Sequence, residues 1–162
     1  MLLRRKLGVL AAGALMALLV LAFAGVASAA PPEPVDTTPF TVEGICPFPM
    51  LAELSGKSQL KALPGGRKLG ISPGLRVTLT NLEEPTNQAS YVITGSLLET
   101  QLANGNLFVV ARGRNVIFGP DVGMFLTIGR FTFIAFDADG TPLALTRPTG
   151  KGRLVDVCAS LE

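Results

Sequence analysis

The sequence predicts an all-β fold, an antiparallel β-sandwich or small barrel of roughly eight or nine short strands. Apolar and polar residues alternate along residues 75–80, which is typical of a strand with one buried face. Turn signals separate such stretches, and Asn104-Gly105 is a strong hairpin signal among them. No segment shows a clear helical period, so strands are expected to build the whole domain.

The predicted strands follow one another along the chain with short turns between them. They cover residues 75–80, 91–94, 97–102, 107–112, 125–136, 143–146 and 153–158. The hairpin at Asn104-Gly105 joins the third of these to the fourth. A loop at residues 148–152 is expected to join the last two.

The longest predicted strand, residues 125–136, is apolar on both faces. One face carries Phe125, Phe131 and Phe133, and the other carries Leu126, Ile128, Ile134 and Phe136. This pattern indicates burial on both sides, or a strand that curls between two sheets. Gly129 is expected to mark a bend or bulge within it.

Residues 50–63 fit either a helix or a hairpin. Three leucines suit one face of a helix, but Gly56 in the middle costs a helix about 1 kcal/mol relative to alanine. The sequence therefore favours a hairpin that turns near Gly56-Lys57. A second turn is expected at residues 64–67, which read Pro-Gly-Gly-Arg.

The N-terminus has the three parts of a secretory signal peptide over residues 1–29. Residues 4–6 are basic, residues 7–26 are an uncharged apolar run, and residues 27–29 form a small-x-small cleavage site. The alternative is an uncleaved membrane anchor, because the apolar run is long enough to cross a bilayer. Export through this signal predicts a secreted, extracellular protein.

Cleavage leaves a proline-rich linker at residues 30–39 and a single domain at residues 40–162. The whole chain has 14 basic and 12 acidic residues, and the signal peptide holds three of the basic ones. The mature chain is therefore near neutral, at about −1. This balance predicts no nucleic-acid partner and no attachment to a membrane after signal cleavage.

Two cysteines, Cys46 and Cys158, lie near the two ends of the predicted domain. An even pair in an exported protein indicates a disulfide, and the alternative is two unconnected thiols. A zinc site is not expected, because two cysteines without any histidine cannot supply the usual four ligands.

Several short motifs spread along the mature chain resemble one protein family. They are Cys-Pro-Phe-Pro at 46–49, Ser-Gly-Lys at 55–57, Leu-Pro-Gly-Gly-Arg at 63–67, Val-Thr-Leu-Thr-Asn at 77–81, Phe-Asp-Ala-Asp-Gly at 136–140 and Val-Asp-Val-Cys at 155–158. The chain resembles uncharacterised small secreted β-domain proteins from actinobacteria. The resemblance implies an exported β domain closed by these two cysteines, and it implies no activity. Residues 82–88 replace the short Thr-Gly turn of that family with a longer, more acidic loop.

Enzymatic chemistry is not expected. The chain has no histidine, which excludes Ser-His-Asp and Cys-His catalysis and removes the commonest general base. The carboxylates mostly fall beside turns or at outward strand positions, so no catalytic pair is predicted, and no cofactor is expected. Residues 137–140 resemble the start of a calcium loop, but Thr141 and Pro148 stand where further ligands are needed, which favours a plain turn.

Two groups of residues suggest binding. Arg112, Arg114 and Arg130 lie on two neighbouring predicted strands, where their guanidinium groups are expected either to form an anion patch or to be ordinary outward charges. A second group is expected either to line a ligand cavity or to fill the core: Phe108, Phe118, Phe125, Phe131, Phe133 and Phe136.

The sequence therefore predicts a secreted, non-enzymatic binding or structural module with an unknown extracellular partner. One alternative is a small-molecule carrier with an apolar cavity, suggested by the aromatic-rich strand. Another is an inhibitor of an extracellular enzyme that presents the loop at residues 83–88, since a rigid loop binds with little ordering cost.

Overall fold

The computed structural model describes residues 30–136 and 144–162. The predicted signal peptide at residues 1–29 and the predicted turn at residues 137–140 lie outside the described residues. Twelve strands and no helix are found in the described residues, which confirms the all-β prediction. The strands are β1 Glu33–Pro34, β2 Phe40–Val42, β3 Met50–Ser55, β4 Lys57–Leu63, β5 Arg67–Ile71, β6 Arg76–Asn81, β7 Gln88–Val92, β8 Ser96–Gln101, β9 Leu107–Gly119, β10 Gly123–Phe136, β11 Ala144–Leu145 and β12 Thr149–Asp156.

The strands form two antiparallel sheets. Sheet 1 has the order β1-β4-β5-β8-β9-β10-β11, and β12 also pairs with β10. Sheet 2 has the order β2-β3-β6-β7. Neither sheet closes on itself within the described part of the chain, so the architecture is a sandwich. In those same residues there is no helix of the length and apolar character that crossing a membrane requires.

The hairpin predicted for residues 50–63 is wrong. Strands β3 and β4 do meet at Gly56, but β3 pairs with β2 and β6 in sheet 2, whereas β4 pairs with β1 and β5 in sheet 1. Gly56 has a φ of +114°, and a Cβ there would clash with the backbone of Gly74. A glycine is therefore needed where the chain crosses from one sheet to the other.

The loop predicted at residues 148–152 is also largely wrong, because β12 begins at Thr149. Its glycines pass so close to β10 that a Cβ on Gly150 or Gly152 would overlap that strand's backbone. These glycines allow close strand approach rather than a turn. The hairpins at Asn104-Gly105 and at residues 64–67 are confirmed by the pairing of β8 with β9 and of β4 with β5.

Strand β10 has the predicted two-sided burial, and each side contacts a different core. The first core lies between the sheets and joins Met124 and Leu126 of β10 to Met50 and Leu79 of sheet 2. The second core lies on the opposite face of β10, within the curled sheet 1. It contains Val109, Ala111, Ile117, Phe125, Phe131, Phe133, Ala135 and Leu145.

Four glycines form a line across sheet 1, here called the glycine row: Gly95, Gly113, Gly129 and Gly152. Gly129 is directly opposite Gly113 on one side and Gly152 on the other. A Cβ on Gly113 would lie 3.2 Å from the Cα of Gly95. Gly113, Gly129 and Gly152 have φ between +79° and +140°. The long strands therefore bend together at the glycine row, as the sequence predicts for Gly129.

The disulfide joins Cys46 to Cys158 across 112 residues, with their Cα atoms 5.4 Å apart. Both cysteines belong to the first core. The C-terminal residues after β12 return over sheet 2, where the buried Asn81 donates a hydrogen bond from Nδ2 to the Leu161 carbonyl at 3.0 Å. The two ends of the domain are therefore held at one place.

Part of the predicted linker pairs with the domain. Glu33 and Pro34 lie opposite Ser58 and Lys57 of β4. Two residues further on, the Thr38 N–H donates a hydrogen bond to the Asp36 carboxylate at 2.9 Å, and this bond lowers the pKa of Asp36.

Candidate functional site

An apolar pocket of about 250 Å³ opens on the concave side of sheet 1. Its walls come from β8, β9, β10 and β11, together with the loop before β3 and the turn after β9. The lining residues are Ile45, Leu97, Glu99, Leu107, Val109, Val116, Ile117, Phe118, Gly119, Pro120, Phe133, Ala135 and Leu145. Because alternate residues of a strand face one side, the odd-numbered residues of β8 and β10 meet here.

Glu99 is the one charged side chain among the described residues that line this pocket. It is half-buried and lies opposite Lys68 of β5 on one side and Val109 of β9 on the other. A smaller pocket of about 140 Å³ shares Glu99 and Leu107, and it is also lined by Lys68 and Gln101. The apolar pocket thus has a polar rim on its β5 side.

The phenylalanines singled out in the sequence divide between the two roles predicted for them. Phe125, Phe131 and Phe133 are buried in the second core, and Phe133 also lines the pocket. Phe118 lines the pocket but stays 48% exposed, and Phe108 is half-buried on the opposite face. The side chain of Phe136 lies outside the described residues.

Three cations lie side by side next to the glycine row and form what is here called the cationic row. Arg112 of β9 is directly opposite Arg130 of β10, and Arg130 is directly opposite Lys151 of β12. All three side chains are exposed, and in the described residues none of these side chains makes a hydrogen bond or ion pair. Like charges in directly opposed positions destabilise a sheet, so the row carries an electrostatic cost.

The structure thus places two of the three predicted patch residues, Arg112 and Arg130, together. Arg114 is turned away, because its Nε donates a hydrogen bond to the Val92 carbonyl of β7 at 2.9 Å. Sequence reasoning missed Lys151, which lies in the stretch predicted as a loop. Only the pairing of β12 with β10 brings it beside Arg130.

A shallow cleft of about 320 Å³ adjoins one end of the cationic row. Arg112 lies on its wall with the hydroxyl-bearing Ser72, Thr94 and Ser96. The glycine row contributes the buried Gly95 and the exposed Gly113 to the same wall. A guanidinium group beside several hydroxyl groups provides hydrogen-bond donors suited to an anion.

The loop at residues 83–88, the predicted inhibitory loop, is exposed but anchored. The Asn81 carboxamide oxygen accepts hydrogen bonds from the Glu83 and Glu84 N–H groups at 2.8 and 3.2 Å. Asn87 donates a hydrogen bond to the Glu162 carbonyl at 2.9 Å. No cluster of three potential metal ligands occurs within residues 30–136 and 144–162.

Fold and sites together describe a disulfide-bonded, all-β sandwich with an apolar pocket on one sheet and a cationic row at its bend. A scan against protein-family models finds no match for this chain. Searches of curated proteins and of solved structures find no significant match either.

Proposed function

We propose that this protein is an exported, non-enzymatic binding module and that the apolar pocket binds a small, largely apolar ligand. The observation that carries the proposal is the composition of the pocket, where Glu99 is the one charged group among the described lining residues and its neighbours are apolar. Ligand sites in proteins typically combine mainly apolar walls with a few polar groups that fix orientation. The disulfide supports the export part of the proposal, since such bonds persist in oxidising compartments.

The volume of the pocket limits the size of the ligand. A dry apolar cavity of about 150 Å³ is enough to hold benzene, and drug-sized ligands occupy sites above about 300 Å³. At about 250 Å³, the pocket suits a ligand of one or two rings or a medium-length alkyl chain. Glu99 at the rim favours a ligand that carries a hydrogen-bond donor or a cationic group at one end.

Two neighbouring leucines of β8 provide a matched test. Leu97 lines the pocket, whereas Leu98 points to the other face, opposite Leu69 and Val110. Leu97→Phe is expected to fill the pocket and weaken binding of 1-naphthol or indole at least tenfold. Leu98→Phe is expected to leave the affinity within twofold of the native value. Isothermal titration calorimetry on both variants, with thermal unfolding as a check of the fold, measures this difference.

Two results of that titration would end the proposal. One is native protein that binds no member of an apolar series running from benzene-sized rings to octanol. The other is equal loss of affinity in both variants, which would place the ligand outside the pocket.

We infer a second candidate function, anion binding at the cationic row, because three exposed cations occupy neighbouring paired positions and their side chains have no partner among the described residues. A bound anion would relieve their mutual repulsion, and Arg112 links the row to the hydroxyl-lined cleft. A linear polycarboxylate such as an oligogalacturonate is a suitable probe. Its successive charges suit cations that repeat at the strand spacing of about 4.8 Å.

Arg130→Gln, in the middle of the row, is expected to weaken oligogalacturonate binding about tenfold and to raise stability by a few tenths of a kcal/mol. The stability gain follows from the removal of two like-charge contacts. Arg76→Gln, an exposed arginine on sheet 2, is the matched control and is expected to leave binding unchanged. Titrations at two salt concentrations test the effect, and equal losses in the two variants would point to non-specific attraction.

A further inference from the structure

The second half of β9 has an open edge, defined here as residues 115–119. Strand β8 pairs with β9 only from Leu107 to Arg112. At the glycine row the Arg114 carbonyl still accepts a hydrogen bond from the Gly95 N–H at 2.8 Å. Beyond that point, within the part of the chain that the structure describes, β9 pairs with β10 alone.

The backbone groups of Val116 and Phe118 point out of this open edge. In an antiparallel strand the N–H and C=O of one residue point to the same side, and successive residues alternate. The Arg114 carbonyl points away from β10, and the Met124 carbonyl, opposite Phe118, accepts a hydrogen bond from the Val157 N–H instead of from β9. Both observations place the outward groups at even-numbered residues of β9.

Apolar side chains flank the open edge on both faces. On the face toward sheet 2, a pocket of about 130 Å³ is lined by Phe40, Val42, Leu54, Val116 and Phe118, among other apolar residues. Phe40 is 46% exposed and Phe118 is 48% exposed. On the other face, Ile117 lines the larger apolar pocket. Proteins usually protect such edges with charges or prolines, and residues 115–119 contain neither.

We propose that the open edge pairs with the open edge of a second copy of this chain, in an antiparallel, two-fold symmetric dimer. An axis through Ile117 places Val116 of each copy opposite Phe118 of the other. Because these two residues carry the outward groups, each such pair exchanges both of its backbone hydrogen bonds, which gives four in total. The edge is thus complementary to itself, as a two-fold interface requires.

The side chains agree with the same register. Phe118 of one copy falls beside Val116 and Phe40 of the other, in the pocket between the sheets that these residues line. The register also places Arg114 of one copy opposite Pro120 of the other, next to the exposed Asp121, so unlike charges meet at the two ends of the pairing. Once paired, neither copy leaves this edge available, so the assembly stops at two.

Sedimentation velocity of the purified, oxidised protein from 1 to 200 µM tests the proposal, with Val116→Pro and Phe118→Lys as edge variants. Proline at Val116 removes an outward N–H that the β9–β10 ladder does not use. Leu98→Lys, a half-buried leucine away from the edge, is the control. Native protein and the control are expected to dimerise with the same affinity, and each edge variant to dimerise at least tenfold more weakly.

Amide hydrogen exchange gives an independent measurement of backbone pairing at the open edge. If Val116→Pro fails to fold, Phe118→Lys is the edge variant used for comparison. At 200 µM the Val116 N–H of the native protein is expected to exchange at least tenfold more slowly than the Val116 N–H of Phe118→Lys. Three results overturn the proposal: native protein that stays monomeric throughout, edge variants that dimerise like the native protein, or equal exchange of the Val116 N–H in native protein and in Phe118→Lys. A monomer whose edge amides become protected only with an added extended apolar peptide would assign the edge to a peptide partner instead.

Discussion

Gly129→Ala is expected to lower the free energy of unfolding by about 3 kcal/mol or more, and Gly152→Ala by a similar amount. Both residues have φ near +140°, a region open almost only to glycine. A Cβ on Gly129 would overlap the Lys151 carbonyl, and one on Gly152 would overlap the Ile128 carbonyl. Neither obstacle is the end of a flexible side chain, so the strands themselves must separate.

Chemical denaturation followed by far-UV circular dichroism measures this effect, and two glycines serve as controls. Gly70 lies in β5, where an added Cβ would meet its nearest neighbour at an ordinary van der Waals distance of 3.8 Å, so Gly70→Ala is expected to change stability by less than about 1 kcal/mol. Gly44 has a φ of +71° but open space around it, so Gly44→Ala isolates the conformational cost of about 1–2 kcal/mol. If Gly129→Ala lowers the free energy of unfolding no more than Gly44→Ala does, the close approach of neighbouring strands is not the reason that the glycine row requires glycine.

The glycine row matters because both candidate sites depend on where sheet 1 bends. The first core covers β10 with sheet 2 only on the Met124–Ile128 side of the bend. The second core and the apolar pocket lie on the opposite face, where the curl brings Val109 and Phe133 from one side of the bend toward Ile117 from the other. The cationic row lies directly beside the bend, one residue from Gly113, Gly129 and Gly152. A single line of glycines therefore positions the pocket, the cations and the open edge.

Much of this fold could be predicted because the decisive signals are local. The alternation in residues 75–80 corresponds to β6, and Asn104-Gly105 marks a real hairpin. The bend at Gly129 can be predicted from the place of this glycine in an apolar strand. Its partners Gly113 and Gly152 carry no such signal, because only the pairing of β9, β10 and β12 brings them together.

The sequence predicts strand pairing wrongly where the true partner strand is distant along the chain. Residues 50–63 have the local pattern of a hairpin, but β3 pairs with β6 in sheet 2 and β4 pairs with β5 in sheet 1, partners that lie further along the chain. The same limit applies to the sites. The sequence could place Arg112 and Arg130 near each other because they lie on neighbouring predicted strands. Lys151 and Glu99 could not be placed in this way, because their neighbours depend on the register of strand pairing.

Removing the disulfide with Cys46→Ala and Cys158→Ala together is expected to lower the free energy of unfolding by about 2–5 kcal/mol. The cross-link closes a loop across 112 residues, which strongly restricts the unfolded chain. Both cysteines are also buried in the first core, so the alanines leave unfilled space within it. The loss is a large share of the 5–15 kcal/mol that typically separates folded from unfolded domains.

Guanidinium denaturation of the native protein with and without reductant separates the contribution of the cross-link from that of the packing of the sulfur atoms. Reduction removes the cross-link but keeps the sulfur atoms, so reduced native protein is expected to be more stable than the double variant by the packing contribution alone. If oxidised and reduced proteins unfold at the same denaturant concentration, the cross-link does not hold the domain. The proposal of an exported module would then lose its structural support, because the fold would be equally secure in a reducing compartment. If reduction unfolds the domain, the fold itself requires the oxidising environment that the N-terminal sequence predicts.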